Sequence, residues 1–381
     1  MSRNRPAIIV ALIVCGLFLS QRTGSGQALT STKWLRLGGP LGGIGYDIKM
    51  RPDNPDIMYV TDANTGVHKS IDGGTTWNQI NTGIEVRTGD SGDLIPAFCV
   101  TIDPNNYDAI WVGLQGQTGI YRSADGGQNW QRRTQGITET NGFTVRGITV
   151  QPGNSSIVYA AGEIGSFIWA GRQIQGKEFD KVKGVVYKST DSGQNWQAVW
   201  RGDNLARYII IDPTNVNTVY VSTGIFDREA ANSDAATNTA GGVGILKSTD
   251  AGRTWSAINN GLRNLYIGTL FMHPQDQRIL LAGASNISYR DGGGLYMTVD
   301  GGDTWRYVIG SAIQSVEFST KDPKVAYATG QTEFYRSDDG GENWRAYLSH
   351  KRGLLGARRH QSWVSDRCSG RSSKREAHLR E

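Results

Sequence analysis

"SIDGGTTW", residues 70–77, sets an Asp among small residues beside two glycines, hydroxyl side chains and a Trp. Such a string serves as an ion loop, a catalytic motif or a structural clip. It returns as "SADGGQNW" (123–130), "STDSGQNW" (189–196), "STDAGRTW" (248–255), "TVDGGDTW" (298–305) and "SDDGGENW" (337–344). All fit Ser/Thr-x-Asp-x-Gly-x-Thr/Asn-Trp, at irregular spacings of 39 to 66 residues. Repetition on that scale signals a repeat architecture.

Each copy sits in a larger unit. An alternating apolar stretch ends in a turn such as "IDPNN" (102–106) or "IDPTN" (211–215). A second strand follows ("AIWVGL", "TVYVST"), then a variable loop and a third strand ("GIYRS", "GILKS"). The motif turns the chain, and a fourth strand starts at the Trp ("WNQI", "WSAI"). Four strands per unit predict an all-β fold, a β-propeller with six visible blades. The motif then lies at the hairpin between the third and fourth strands. There an Asp carboxylate can accept from turn N–H groups, Gly supplies positive φ, and the Trp packs back over the turn. A calcium loop needs several oxygen ligands, and most copies offer one carboxylate. Catalysis would not need six copies. Asp72, Asp125, Asp191, Asp250, Asp300 and Asp339 are therefore read as structural.

The motif resembles the Asp-box, or BNR repeat, and the resemblance spans residues 34 to 348. Bacterial sialidases, xyloglucanase-type hydrolases of glycoside hydrolase family 74, sortilin-type receptors and photosystem II stability-factor proteins share it. It implies the propeller and leaves function open. "KWLRLG" (33–38) reads as a lone fourth strand ahead of the first unit. The expectation is an incomplete seven-bladed ring, with a six-bladed ring plus an extra strand as the alternative.

Both ends differ from the body. Arg3 and Arg5 precede an apolar run from Ala7 to Leu19, the pattern of a secretory signal peptide and too short to span a bilayer. Residues 1–28 are read as that signal, with cleavage after Gly26 or Ala28 and a secreted or periplasmic product. Cys15 admits a lipoprotein reading, against which stand Val14 and the apolar run that continues past it. Residues 349–381 hold nine basic residues against three acids and read as a disordered or aberrant tail. The propeller region, 29–348, keeps 28 basic and 32 acidic residues, a net −4. The chain's basic balance thus belongs to its ends and gives no reason to expect nucleic-acid binding. Cys99 lies in an apolar run (Phe98 to Ile102) and reads as a buried thiol rather than half of a disulfide.

Long connections fall on the propeller face opposite the motifs: 81–97, 161–184, 222–242 and 283–293. Loops on a rigid scaffold are where binding resides. These carry, or lie beside, the acids Asp62, Glu163, Asp227, Glu229 and Asp291, and the aromatics Phe167, Trp169, Phe226 and Tyr289. Aromatic faces stack on sugars and carboxylates bind hydroxyls, so a polysaccharide or oligosaccharide is the expected partner, with Glu163, Trp169, Phe226, Tyr289 and Asp291 as contacts. The first unit, "GGPLGGIGYDIKMRPDNPDIMYVTDANTGVHKS" (38–70), resembles the opening of family 74 hydrolases. That resemblance implies Asp62 as catalytic base of an inverting hydrolysis. The family's acid comes from a second propeller that this chain lacks. Either Asp227 or Glu229 replaces it, or the site only binds.

Other chemistries find less support. No "RIP" is present, and Arg146, Arg207 and Arg228 show no pattern of a sialidase carboxylate clamp. His68 and His273 are the only histidines of the body and fall in strand-like stretches, so no metal site is expected. "GGVG" and "GGIG" lack the strand-to-helix setting of a phosphate loop, and no cofactor is expected. The competing function is a non-catalytic propeller that holds a protein or peptide.

Overall fold

The computed structural model describes residues 45–139, 142–164, 183–202, 204–224, 243–284, 293–330 and 333–348, with the backbone of 173–174 and 177–178. They form six four-stranded antiparallel sheets whose strands pair in chain order, and a two-stranded hairpin, Gln173–Ile174 with Lys177–Glu178, that falls between the second and third strands of blade 3. Blade 1 comprises Gly45–Met50, Met58–Asp62, Gly66–Ser70 and Asn78–Gln79. Blade 2 comprises Ala97–Asp103, Asn106–Leu114, Ile120–Ser123 and Gln131–Arg132. Blade 3 comprises Phe143–Gln151, Asn154–Ile164, Lys183–Ser189 and Gln197–Gly202. Blade 4 comprises Ala206–Ile211, Val219–Thr223, Ile245–Ser248 and Ser256–Ala257. Blades 5 and 6 begin at Ile267 and Ile313, and Arg345–Leu348 closes the sixth. The sheets are arranged as a β-propeller.

The middle strands of blades 2 to 5 are buried on both faces, because a blade packs on either side of each. Met58–Asp62, Val219–Thr223 and Leu280–Ala284 are buried throughout, whereas fourth strands such as Asn78–Gln79 are exposed. Five apolar clusters fill the junctions between consecutive blades, 1 to 6. Among the described residues none joins blade 6 to blade 1. The strand expected at Lys33–Gly38 and any strand after Leu348 lie outside the described residues. Cys99 is buried and free.

All six motifs close the same hydrogen-bond network. The Ser or Thr hydroxyl donates to Asp Oδ1 at 2.6–2.8 Å. The backbone N–H of the Thr or Asn before the Trp donates to the same oxygen at 2.8–3.0 Å. Its side chain donates to Oδ2 at 2.6–2.8 Å. Both carboxylate oxygens are thus engaged by the motif's own donors, as a structural clip requires. The residue after the Asp takes φ near +59° to +74°. Glycine fills that place in four copies, while Ser192 and Ala251 accept it at a cost of about 1 kcal/mol.

Donors that favour the ionised carboxylate hold it below its usual range. Thr76, Asn129 and Asn195 lower Asp72, Asp125 and Asp191 to about 2. Thr298 and Thr304 do the same for Asp300. A carboxyl with a depressed folded value contributes stability above its unfolded pKa, near 3.9, and loses it as pH falls toward the folded value. The thermal midpoint should therefore fall steeply between about pH 4 and 2. These groups should leave it flat from pH 5 to 7, which melting curves across that range would check.

The motif Trp residues have two uses, where the sequence suggested one. Trp77, Trp255 and Trp344 donate to a Gly carbonyl of their own turn, as expected. Trp130, Trp196 and Trp305 instead reach the preceding blade, donating to Ile80 O, Arg133 O and Ile258 O. A glycine of that blade's last loop (Gly83, Gly136 or Gly261) lies against the Trp carbonyl, with φ between +88° and +95°. A Cβ on Gly136 would sit 2.2 Å from Trp196 O, a backbone atom with no room to yield. Gly136→Ala should cost about 3 kcal/mol through clash and backbone strain. Gly153→Ala, at φ +79° with open space around its Cβ, should cost about 1 kcal/mol. Equal losses in urea titrations would show that the contact with Trp196 carries no weight.

Candidate functional site

The face opposite the motif hairpins is built by the connections from second to third strand and from each blade to the next. Asp62 ends the second strand of blade 1 there and is 3% exposed. The strand stops because its carboxylate turns the chain: Oδ1 accepts from Asn64 N, Thr65 N and Thr65 Oγ1 at 2.8–2.9 Å. Oδ2 has no hydrogen-bond partner among the described residues. Thr65 spends its only hydroxyl proton on Asp62, so it accepts from His68 Nε2 at 2.8 Å. That fixes the His68 tautomer as Nε2–H. Burial pushes His68 below the ordinary histidine value, with the Asp62 charge opposing, so the imidazole is neutral at neutral pH. The loop 81–97 is fastened to this turn by Ile95 N donating to Asn64 O at 3.0 Å. The result is a fixed carboxylate with one oxygen committed and one available.

Glu163 lies at the same end of blade 3 and is 3% exposed. Its Oε2 accepts from both Nε and Nη2 of Arg146, in an ion pair whose side chains are 4% and 7% exposed. The Arg146 guanidinium also covers the Phe98 ring at 4.6 Å, and Phe98 meets Tyr46 at a centroid distance of 4.3 Å. This Tyr46–Phe98–Arg146–Glu163 series spans three blades.

Its origin is a recurrent β-bulge. The inner strand of every blade skips register near its start, between Gly45 and Asp47, Ala97 and Cys99, Ile267 and Thr269, and Ile313 and Ser315. Blade 3 does so opposite Ala161 and Gly162, and blade 4 between Ala206 and Ile209. The skipped residues are Tyr46, Phe98, Arg146, Arg207 with Tyr208, Gly268 and Gln314. A bulge re-aims its side chain out of the alternating pattern. Alternation read from sequence cannot place such a residue, which is why Tyr46 and Phe98 were missed and Arg146 showed no pattern.

Deeper along the axis, Lys49 pairs with Asp47 at 3.2 Å. Its charged and polar neighbours come from three blades: Asp47 of its own strand, Tyr208 of blade 4 and Glu317 of blade 6. Asp47 chiefly raises Lys49, and burial raises Glu317 above the usual carboxylate range, with Lys49 opposing.

Of the residues expected to form the site, Asp62 and Glu163 lie on this face and each is already engaged by neighbours. Asp227, Glu229, Phe167, Trp169, Phe226, Tyr289 and Asp291 lie outside the described residues. His273 is not in a strand: it follows Met272, and its Nδ1 caps the next turn by accepting from Gln275 N and Asp276 N. Among the described residues no cluster of three or more His, Cys, Asp or Glu could hold a metal ion.

No family model matches the chain. A xyloglucanase of Hypocrea jecorina is 25% identical over 302 residues, 74% of this chain and 33% of that protein. The chain resembles xyloglucanases. It spans about a third of the length of that relative. Among solved structures, an ancestral GH74 enzyme superposes with a TM-score of 0.57 at 21% identity, covering 84% of this chain and 40% of that one. YCF48 of Cyanidioschyzon merolae gives 0.52 at 18% identity, over 81% of this chain and 86% of that one. At such identities the two structures bear on the fold, a propeller like that of GH74.

Proposed function

We propose that the chain is an exported Asp-box propeller that engages a polysaccharide or oligosaccharide and acts as a xyloglucanase-type glycoside hydrolase. The similarity to the xyloglucanase over three quarters of the chain carries this reading. Asp62 is the base: its turn fixes the carboxylate while Oδ2 is left to hold and deprotonate a water. Asp227 or Glu229 supplies the acid, and Glu163, Trp169, Phe226, Tyr289 and Asp291 contact the glycan. Inversion places the acid about 6.5–9.5 Å from the base, across the scissile bond. Residues 1–28 are a cleaved leader, 29–348 the propeller and 349–381 a tail apart from it.

One observation favours a second reading, a non-catalytic propeller for protein or peptide. Three donors already engage Asp62 Oδ1, which suffices to explain the residue as a turn cap. Incubating the purified chain with xyloglucan and a panel of other glucans, with reducing-end detection, separates the two. New reducing ends support hydrolysis, whereas neither cleavage nor oligosaccharide binding leaves the protein-binding scaffold.

A further inference from the structure

One turn of blade 1 carries polar groups that its backbone does not need. Asp62 closes the turn by accepting from Asn64 N and Thr65 N. Asn81 fixes the far side: its Oδ1 accepts from Val67 N at 2.8 Å and its Nδ2 donates to Thr65 O at 2.9 Å. Gly66, at φ +85°, makes room for that side chain, since a Cβ there would meet Asn81 Oδ1 at 2.4 Å. Two further bonds are added to this frame. Thr65 Oγ1 donates to Asp62 Oδ1 at 2.9 Å, and His68 Nε2 donates to Thr65 Oγ1 at 2.8 Å.

In blade 4 the third strand enters over the same frame without those two bonds. Asn259 takes the part of Asn81, accepting from Ile245 N at 2.9 Å and donating to Val243 O at 2.8 Å. Gly244, at φ +82°, takes the part of Gly66. Counted back from the motif Ser, Val243 and Leu246 stand where blade 1 has Thr65 and His68. The strand end beside the glycine is Thr223 in blade 4 and Asp62 in blade 1. All three polar residues of blade 1 are thus exchanged together, for one neutral and two apolar side chains. At the His68 position the other blades carry Tyr121, Tyr187, Tyr296 and Tyr335.

His68 is 3% exposed, and among the described residues its side chain makes one hydrogen bond, the one to Thr65. Burying an imidazole where Leu or Tyr serves elsewhere costs free energy. Its N–H occupies a lone pair of Thr65 Oγ1 and so turns the hydroxyl proton toward Asp62. Hydrogen bonds aligned in series also strengthen one another. Three donors then hold Asp62 Oδ1, which fixes the carboxylate plane and with it the direction of Oδ2. A base must meet its water within hydrogen-bond reach, and a misplacement of about 1 Å costs on the order of a hundredfold. We propose that Thr65 and His68 are positioning residues that act through Asp62. His68 orients the Thr65 hydroxyl, and Thr65 aims Asp62 Oδ2 at the reacting water. The assignment rests on the role of Asp62 as base and gives neither residue a contact with glycan.

Steady-state kinetics on xyloglucan, with a melting curve for each variant, test it. Thr65→Val and His68→Leu install the blade 4 residues, so both should fold with melting temperatures near the wild type. In Thr65→Val, kcat should fall at least about fivefold, the worth of one net hydrogen bond, with KM unchanged. His68→Leu should show part of the same loss. His68→Phe, with a ring like that of the other blades, gives the same readout if the Leu variant does not fold. Because His68 acts through Thr65, the double variant should be no slower than Thr65→Val alone. Thr65→Ser keeps the hydroxyl and His68→Gln keeps an N–H donor, so each should recover much of the loss. Wild-type kcat in folded Thr65→Val and His68→Leu, beside an inactive Asp62→Asn, would overturn the positioning role and leave Asp62 as base. Additive losses in the double variant would detach His68 from Thr65 and overturn the series. A raised KM at unchanged kcat would make the pair glycan contacts instead. A wild type that cleaves no glucan, or a fully active Asp62→Asn, would overturn the base itself and the positioning role with it.

Discussion

Arg146→Met is expected to lower the unfolding free energy by about 3–5 kcal/mol, the cost of removing one partner from a buried ion pair. Met fills much of the arginine stem's volume, so packing loss is the smaller part. What remains is the Glu163 carboxylate, in a side chain 4% exposed, without the two guanidinium N–H groups that reach its Oε2. Phe98 also loses the cation over its ring. The double variant Arg146→Met with Glu163→Gln should recover part of the loss, because no charge then remains buried. A double-mutant cycle by urea denaturation gives the coupling. An Arg146→Met midpoint within error of the wild type would mean that the carboxylate relaxes into water and that the bulged ring does not hold the three blades together.

That pair also marks the limit of what the sequence discloses. The six motifs were legible because each is a local device: Ser123, Asp125, Gly127 and Asn129 close their network within seven residues. Strand order followed, since the four strands of each blade pair in chain order. The interblade features were not legible. Trp130 and Trp77 occupy equal places in the same motif, yet one bonds to the preceding blade and the other to its own turn. The tripeptide "NTG" at 81–83 is the signal for the former: Thr82 O accepts from Trp130 N, and Gly83 makes the room. "TQG" (134–136) and "NNG" (259–261) repeat it before Trp196 and Trp305. The pairing of Arg146 with Glu163 was hidden for a different reason. A register skip moves Arg146 out of the alternation that would have paired it across the sheet. Asp62 was legible by its place at a strand end, but its bonds to Asn64 and Thr65 were not, because an Asp before a short turn reads equally as a cap and as a base.

Asp62→Asn separates those two readings. Asparagine keeps the Oδ1 acceptor that Asn64 N, Thr65 N and Thr65 Oγ1 require, so the turn and its link to His68 should survive. The melting temperature should therefore stay near that of the wild type. What the variant loses is the negative charge and the second basic oxygen. A neutral amide cannot take a proton from water, and general-base catalysis contributes about 10²–10⁴-fold. Under the proposed role as base, turnover of xyloglucan should fall by at least about a hundredfold while oligosaccharide binding persists, because a base acts in the transition state rather than as an anchor. Full activity in a folded Asp62→Asn protein would assign the residue to the turn alone and move the search for the base to another acid. Loss of activity together with a lowered melting temperature would trace the effect to the turn.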